Sequence, residues 1–259
     1  MKSIDFFEEI EFCISEPKLS AYDFFSESAK PHVRLGAHMI LLGLSSHFYL
    51  PLQLMEVTLR NRVDKAMIEI YSSKRMRNRI HKYAPKGSTP ENWYEWMPNK
   101  KESRRGVALA KSRAREHAAL KGRDASRDDV ISEITLGVWI HLLKEKENNK
   151  DPFYFWENAV RLIFPYRGHV KRNGIFYGLD EVLYIRNRLF HHEPIWKGPN
   201  VATFEDAVKK LHSRINIVCN VVAWMSQAVW EVTKHFTLFE SFNEACLRGL
   251  EEFESKDYS

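Results

Sequence analysis

The chain has 259 residues, 44% of them hydrophobic, with three cysteines and a formal net charge of +5. That length carries one large domain or two small ones around a real core, and the mild positive charge permits a nucleic-acid partner without demanding one. Cys13, Cys219 and Cys246 lie far apart and form no metal-ligand spacing; buried free thiols in a reducing cytosol are the plain reading.

The opening MKSIDFFEEIEF is acidic and lacks the apolar core of a signal peptide. A short helix is predicted over residues 4–14 and broken at Pro17; Ser20 caps a second one that runs to about residue 29, before Lys30-Pro31. A long apolar-periodic segment then covers 33–71, interrupted near Pro51. Its most apolar part, 35–57, contains His38, His47, Pro51, Gln53 and Glu56, so it reads as a buried core helix rather than a membrane span. Within the same segment Glu56, Arg60 and Asp64 fall at i, i+4 spacing. They form either a salt-bridged helix edge or, for Glu56 or Arg60, a support that reaches the helix at 179–193.

Residues 74–127 hold the chain's local basic excess. The run 74–86 carries six Lys or Arg and no acid, and 100–127 adds Arg104, Arg105, Lys111, Arg113 and Arg115 among others, against an acidic C-terminal end. Charge runs are usually solvated faces, yet this asymmetry makes the segment the best candidate for tracking a phosphate backbone. Trp93, Tyr94 and Trp96 lie in the loop between the two basic runs, where they either stack on unpaired bases or pin the loop to the core. A helix is predicted over 103–120, then a well-buried one over 129–144 capped by Asp128 or Ser126, and a third over 153–164. A connector over 165–178 carries Lys171 and Arg172, which either help to bind phosphate or belong to a plain surface loop. Helices over 203–232 and 238–253 complete the chain, with no strand pattern anywhere.

The stretch 179–196, LDEVLYIRNRLFHHEPIW, organises the rest. At about 100° per residue, Leu179, Val182, Leu183, Ile185, Leu189 and Phe190 fall on one broad arc with Arg186 in its middle. An unpaired buried guanidinium is expensive, so Arg186 calls for a carboxylate, a set of carbonyls or a bound anion. Asn187 and His191 share a face at i, i+4, and Pro194 stops the helix near 191–193, leaving His191 and His192 to project from its end. On an ideal wheel Arg186 and His191 stand roughly 140° apart, so they meet only through the reach of Arg, fraying at the helix end, or a partner chain. The residue types suit one reaction. RNA can be cut without a metal because its 2′-OH lies beside the scissile phosphate. An imidazole can carry the proton, a guanidinium can clamp the phosphate, and an amide can orient either group.

Arg186-Asn187-x-x-x-His191 resembles the R-N-x3-H form of the Rx4-6H motif of HEPN-type ribonucleases, and IRNRLFHHEPIW resembles their Abi-like, abortive-infection branch. LQLMEVTLRNRVDKAM (52–67), ISEITLGVWIHLL (131–143), and FW and IFP (155–165) follow that branch in order, so the likeness spans roughly residues 20–200. The resemblance implies an all-α helical bundle over 1–259, with a HEPN-like core that includes the 179–193 and 203–232 helices. It also implies a cytoplasmic, metal-independent and cofactor-free endoribonuclease of a phage-defence or toxin-type system, with Arg186, Asn187 and His191 as its catalytic residues. Either His191 or His192 satisfies the spacing of the base. The same architecture would also suit a non-catalytic RNA-binding module. Leu59-Arg60-Asn61-Arg62-Val63 echoes the motif but has Lys65 in the place of His191, so it offers no second imidazole. A composite site with two motifs would therefore need a homodimer, and an antitoxin or non-coding RNA is the further partner such a system would bring.

Overall fold

The computed structural model describes residues 6–25, 30–73, 86–96, 101–144, 156–235 and 238–255, and among these the chain is helical with no strand. In order the helices are α1 Phe6–Ile14, α2 Glu16–Leu19, α3 Pro31–Ser46, α4 Tyr49–Ser72, α5 Trp93–Trp96, α6 Lys101–Ala119, α7 Arg127–Glu133, α8 Leu136–Leu143, α9 Trp156–Ile163, α10 Arg172–Phe190, α11 Phe204–Met225, α12 Gln227–His235 and α13 Leu238–Ser255. Short 3-10 turns occupy Ser20–Phe25 and Pro90–Asn92. The all-α class is the one the apolar periodicity predicts.

The boundaries depart from expectation where local chemistry overrides periodicity. Pro51 does not break the long apolar segment: the break falls at His47-Phe48, and Pro51 sits in the first turn of α4, where its missing N–H costs nothing. The predicted 129–144 helix is two, α7 and α8, separated by extended backbone at Ile134 and Thr135. Ser126 caps α7 through a reciprocal box: its hydroxyl accepts from the Asp129 N–H and the Asp129 carboxylate accepts from the Ser126 N–H at 2.7 Å. The predicted 203–232 helix also divides, at Ser226, whose hydroxyl accepts the Val229 N–H and starts α12. The expected connector 165–178 is shorter, because α10 begins at Arg172 and takes in Gly174 and Gly178. A Cβ on Gly178 would lie 3.0 Å from Val221 and 3.1 Å from Trp224, so glycine there permits a close approach of α10 and α11 and does not mark a loop.

The chain divides into two compact units, one of residues 1–52, 184–219 and 231–259, the other of 53–183 and 220–230. In the first, α3 packs on α13. Val33, Ala37, Leu41 and Leu44 bury one stripe of α3, and Phe48 meets Phe242 edge-on at 6.1 Å. An aromatic cluster gathers Tyr22, Phe25 and Trp196 within 5.1–6.1 Å of one another, with Phe204 stacked on Phe253 at 3.9 Å. By length and composition alone, the helical stretch Pro31–Ser72 is apolar enough to cross a membrane, a test that the buried stripe of a core helix also passes.

In the second unit α6 packs on α7 and α8, burying Ser103, Val107, Ala110, Ala114 and Ala118 at helical spacing. Asp64 of α4 accepts the Trp93 indole N–H at 2.8 Å and pairs with Arg127 of α7, whose Nε donates to the Glu91 carbonyl at 2.9 Å. This network ties the 90–96 segment to two helices. Gly106 of α6 faces Val138, which an added Cβ would strike. Gly106→Ala is therefore expected to cost about 1–3 kcal/mol, since the branched valine cannot swing away. Gly43→Ala, where nothing lies within 4 Å, should instead stabilise by about 0.5–1 kcal/mol. Thermal melts of the two variants should shift in opposite directions.

All three cysteines are free, Cys13 exposed and the other two buried. Burial pushes the Cys219 thiol up to about 12 and the Cys246 thiol up to about 11. Only the thiolate is nucleophilic. Iodoacetamide on the folded protein should label Cys13, with Cys219 and Cys246 reacting after denaturation, as read by peptide mass spectrometry.

Candidate functional site

The sequence builds the end of α10 with a motif more specific than a simple stop. The Glu193 N–H donates to the Arg188 carbonyl at 2.8 Å, the His192 N–H to the Leu189 carbonyl at 3.1 Å, and His192 adopts a left-handed φ of 56°. These are the two crossed bonds of a Schellman cap, with His192 where glycine is usual. An ion pair, Arg188 to Glu193 at 3.4 Å, stands where such caps commonly place an apolar contact. Arg188 also donates from Nε to the Pro194 carbonyl at 3.0 Å. Arg214 of α11, only 4% exposed, donates to the next carbonyl, that of Ile195. Both guanidiniums lie over the Tyr184 ring, at 5.4 and 4.8 Å. Two arginines thus fix the backbone that leaves the helix, and with it the direction in which His191 projects.

His191 and His192 are exposed and both line a cavity of about 590 Å³ in the first unit. The end of α10 and the turn after it supply one side through Leu189, the two histidines, Glu193, Pro194, Trp196 and Lys197. Helix α3 supplies His38, Leu41, Leu42, Ser45 and Ser46, and the segment 17–22 supplies Lys18 and Tyr22. The lining leaves out Arg186 and Asn187, which belong to the preceding turn of α10. There the Arg186 guanidinium lies 4.8 Å over the Phe190 ring, with Nη1 3.4 Å from the Asn187 side-chain oxygen. Arg186 is half-buried, not set in the middle of a sealed apolar face, because Leu183 and Leu189 are only half-buried and Phe190 is 51% exposed. Among the described residues, the arginine that the first unit buries is Arg214.

Tyr22 and His38 form the polar floor. The Tyr22 hydroxyl and His38 Nδ1 are 3.1 Å apart, and the rings meet edge-on at 5.3 Å. Burial raises the Tyr22 phenol. Burial, and next the positive charge of Lys18, lowers the His38 pKa, so the ring is neutral at pH 7. With the folded pKa below the unfolded value of 6.5, the unfolded chain binds the extra proton. Stability from this group is therefore present above 6.5 and is lost as pH falls towards the folded pKa. His38→Gln should flatten the fall in denaturation midpoint between neutral and acid pH, measured against wild type.

The remaining candidates lie in the second unit. Glu56 and Arg60 are half-buried on α4, with Arg60 Nε 3.5 Å from the Asn61 side chain. Arg104, Arg105, Arg113 and Arg115 are exposed on α6, and Arg104, Lys111 and Arg115 share one stripe at i, i+7, i+11. Lys111 is held by Glu95 at 2.7 Å. Lys171 is exposed, and Arg172 starts α10 with its guanidinium 5.2 Å over Phe176. The aromatic platform expected for bases is not offered by Trp93 and Tyr94, which are 0% and 6% exposed and pack inward. The Trp96 side chain and the basic run 74–85 lie outside the described residues.

Lys18, Tyr22, His38 and Lys197 are lining residues that the motif did not supply. Their signal in the sequence was slight: His38 shows only as a polar interruption of an apolar helix, and Lys197 as the residue after Trp196. No family model, curated protein or solved structure matches the chain.

Proposed function

We propose that the protein is a metal-independent endoribonuclease of the Abi-like, HEPN type, with α10 and α11 in a HEPN-like core. The observation that carries the reading is the placement of His191: a rigid cap sets it at a helix end, exposed, in the wall of a cavity whose other charged groups are two lysines and Glu193, itself paired with Arg188. His191 takes the proton from a ribose 2′-OH as the oxygen attacks the adjacent phosphorus. The bond to the 5′ oxygen breaks, and that oxygen takes a proton from solvent water as it leaves, giving a 2′,3′-cyclic phosphate and a 5′-OH. Arg186 binds the non-bridging oxygens as charge builds, and Asn187 steadies its guanidinium.

Because Arg186 stands outside the cavity lining, the reading calls for a homodimer whose second motif completes the site. The exposed arginines of α6 suit a longer RNA contact, and they would serve a non-catalytic RNA-binding module equally well. Cytoplasmic defence against phage, with an antitoxin or non-coding RNA as regulator, is the setting this activity implies. Incubation with total RNA in EDTA, followed by end-group mapping, decides between the two. Cyclic-phosphate ends that depend on His191 support the nuclease; salt-sensitive RNA binding without new ends supports the module; a metal requirement overturns the proposed chemistry.

A further inference from the structure

The cavity beside His191 has more structure than a base and an exit for a proton require. Its walls are apolar: Leu42, Leu189 and Pro194 offer exposed surface, backed by the nearly covered side chains of Leu41, Tyr22 and Trp196. Its charges are of one effective sign. Lys18 and Lys197 line it, Lys197 with Nζ 5.9 Å from the Trp196 ring centre, while the carboxylate of Glu193 is engaged by Arg188. His38 adds an imidazole, held by its Nδ1 at 3.1 Å from the Tyr22 hydroxyl. The volume, about 590 Å³, lies within the range of small-molecule sites, roughly 300–1,000 Å³. A neutral apolar ligand would leave two lysines and an imidazole unanswered, and a bare anion would leave the apolar walls wet.

We infer that the cavity is a nucleotide subsite, which takes one unpaired nucleobase of the RNA against its apolar walls and an adjoining phosphate on Lys18, Lys197 and His38. Unpaired bases are held in this way, by apolar surfaces together with cations on the backbone. The inference deepens the ribonuclease reading and rests on it for the choice of an RNA nucleotide over other phosphate esters. It also gives His38 a task distinct from that of His191: it donates to a bound phosphate, held in register by Tyr22, and leaves proton abstraction to the exposed imidazole.

The test is equilibrium titration of the full chain with a nucleoside 3′-monophosphate, the matching nucleoside, inorganic phosphate and a short single-stranded RNA. The nucleotide and the RNA should bind more tightly than phosphate or nucleoside alone. Lys18→Ala combined with Lys197→Ala should weaken the nucleotide by about tenfold or more, the scale of one charge-assisted hydrogen bond. Leu42→Glu, at an exposed position of the lining, should weaken it comparably while leaving the circular dichroism unchanged. Tyr22→Phe should weaken the nucleotide but not the nucleoside. Equal affinity for phosphate and nucleotide overturns the base subsite, and equal affinity for nucleoside and nucleotide overturns the phosphate contact. Preference for the mononucleotide over the RNA assigns the cavity to a free nucleotide and overturns its role as an RNA subsite. RNA cleavage with an unchanged KM in the double lysine variant overturns the subsite while the nuclease stands. Nucleotide bound with RNA left intact overturns the nuclease and leaves the subsite standing.

Discussion

His191→Ala is expected to abolish RNA cleavage, and His192→Gly to leave it intact in a more stable protein. The two histidines are adjacent and both expose their rings to the same cavity, yet the backbone treats them differently. His191 closes α10 with its N–H on the Asn187 carbonyl at 3.0 Å, whereas His192 holds the left-handed position of the cap, at φ 56°. A side chain bound to left-handed backbone costs roughly 1–2 kcal/mol relative to the right-handed region, a cost that glycine does not carry. Replacement of His192 by glycine should therefore raise stability by about 1 kcal/mol while the cap bonds persist. If His191 is the proton carrier, its loss should slow cleavage by about 10²–10⁴-fold. Arg186→Ala should slow it by a similar factor through the transition-state charge. None of the three changes touches a buried side chain of the core, so far-UV circular dichroism should stay helical in all three variants. The reverse pattern, with His192→Gly inactive and His191→Ala active, would reassign the base. Cleavage undiminished in all three would remove the motif from the chemistry.

Some of this was legible before any coordinates, and the division follows the range of the interactions involved. The helices could be read because apolar spacing of 3.6 residues is local, and so could the stop at Pro194, because proline restricts its own neighbour. The left-handed residue at 192 could not be read: the usual signature is glycine, and here the crossed bonds hold a histidine in its place. The breaks at Ile134-Thr135 and at Ser226 were hidden by continuous hydrophobicity on both sides. Gly178 read as a loop because a glycine that admits a neighbouring helix looks the same in sequence as one that ends a helix. In the site, motif spacing found His191 and His192 but placed the buried arginine at 186, since a wheel counts positions and ignores how wide the covered face is. Arg214 was missed for the complementary reason: its partner is the Ile195 carbonyl, and no residue type signals a backbone acceptor. Lys18, Tyr22 and His38 stand 148–168 residues before Arg186, and only folding brings them to the cavity.

Asp64→Ala should destabilise the second unit by about 2–4 kcal/mol, more than any single exposed charge would. In sequence Asp64 belongs with Arg60 on a helix edge, and such an exposed pair contributes about 0.3–0.5 kcal/mol. The fold gives it other partners. Its carboxylate accepts from the indole of Trp93, a side chain with no exposed surface, and pairs with Arg127 from 63 residues away. The two charged side chains are 16% and 26% exposed, so solvent screens the pair only partly. Removal of the carboxylate strands a buried N–H, at about 1–3 kcal/mol, and takes from Arg127 its least exposed partner, leaving it the Glu91 carbonyl and the exposed Asp128. Asp64→Asn separates the two contributions, since an amide oxygen still accepts from Trp93 while the charge is gone; it should cost about half as much. Arg127→Ala should fall near the asparagine variant, because the indole keeps its acceptor. For a chain of this length each kcal/mol moves Tm by roughly 2–4 °C, so the alanine variant should melt about 4–16 °C below wild type. Trp93 supplies an independent reading: its fluorescence should shift to longer wavelength in Asp64→Ala as the 90–96 segment loosens, and hold in Asp64→Asn. An Asp64→Ala protein that melts with wild type would mean that Trp93 and Arg127 do not depend on this carboxylate, and that the 90–96 segment is fixed by packing alone.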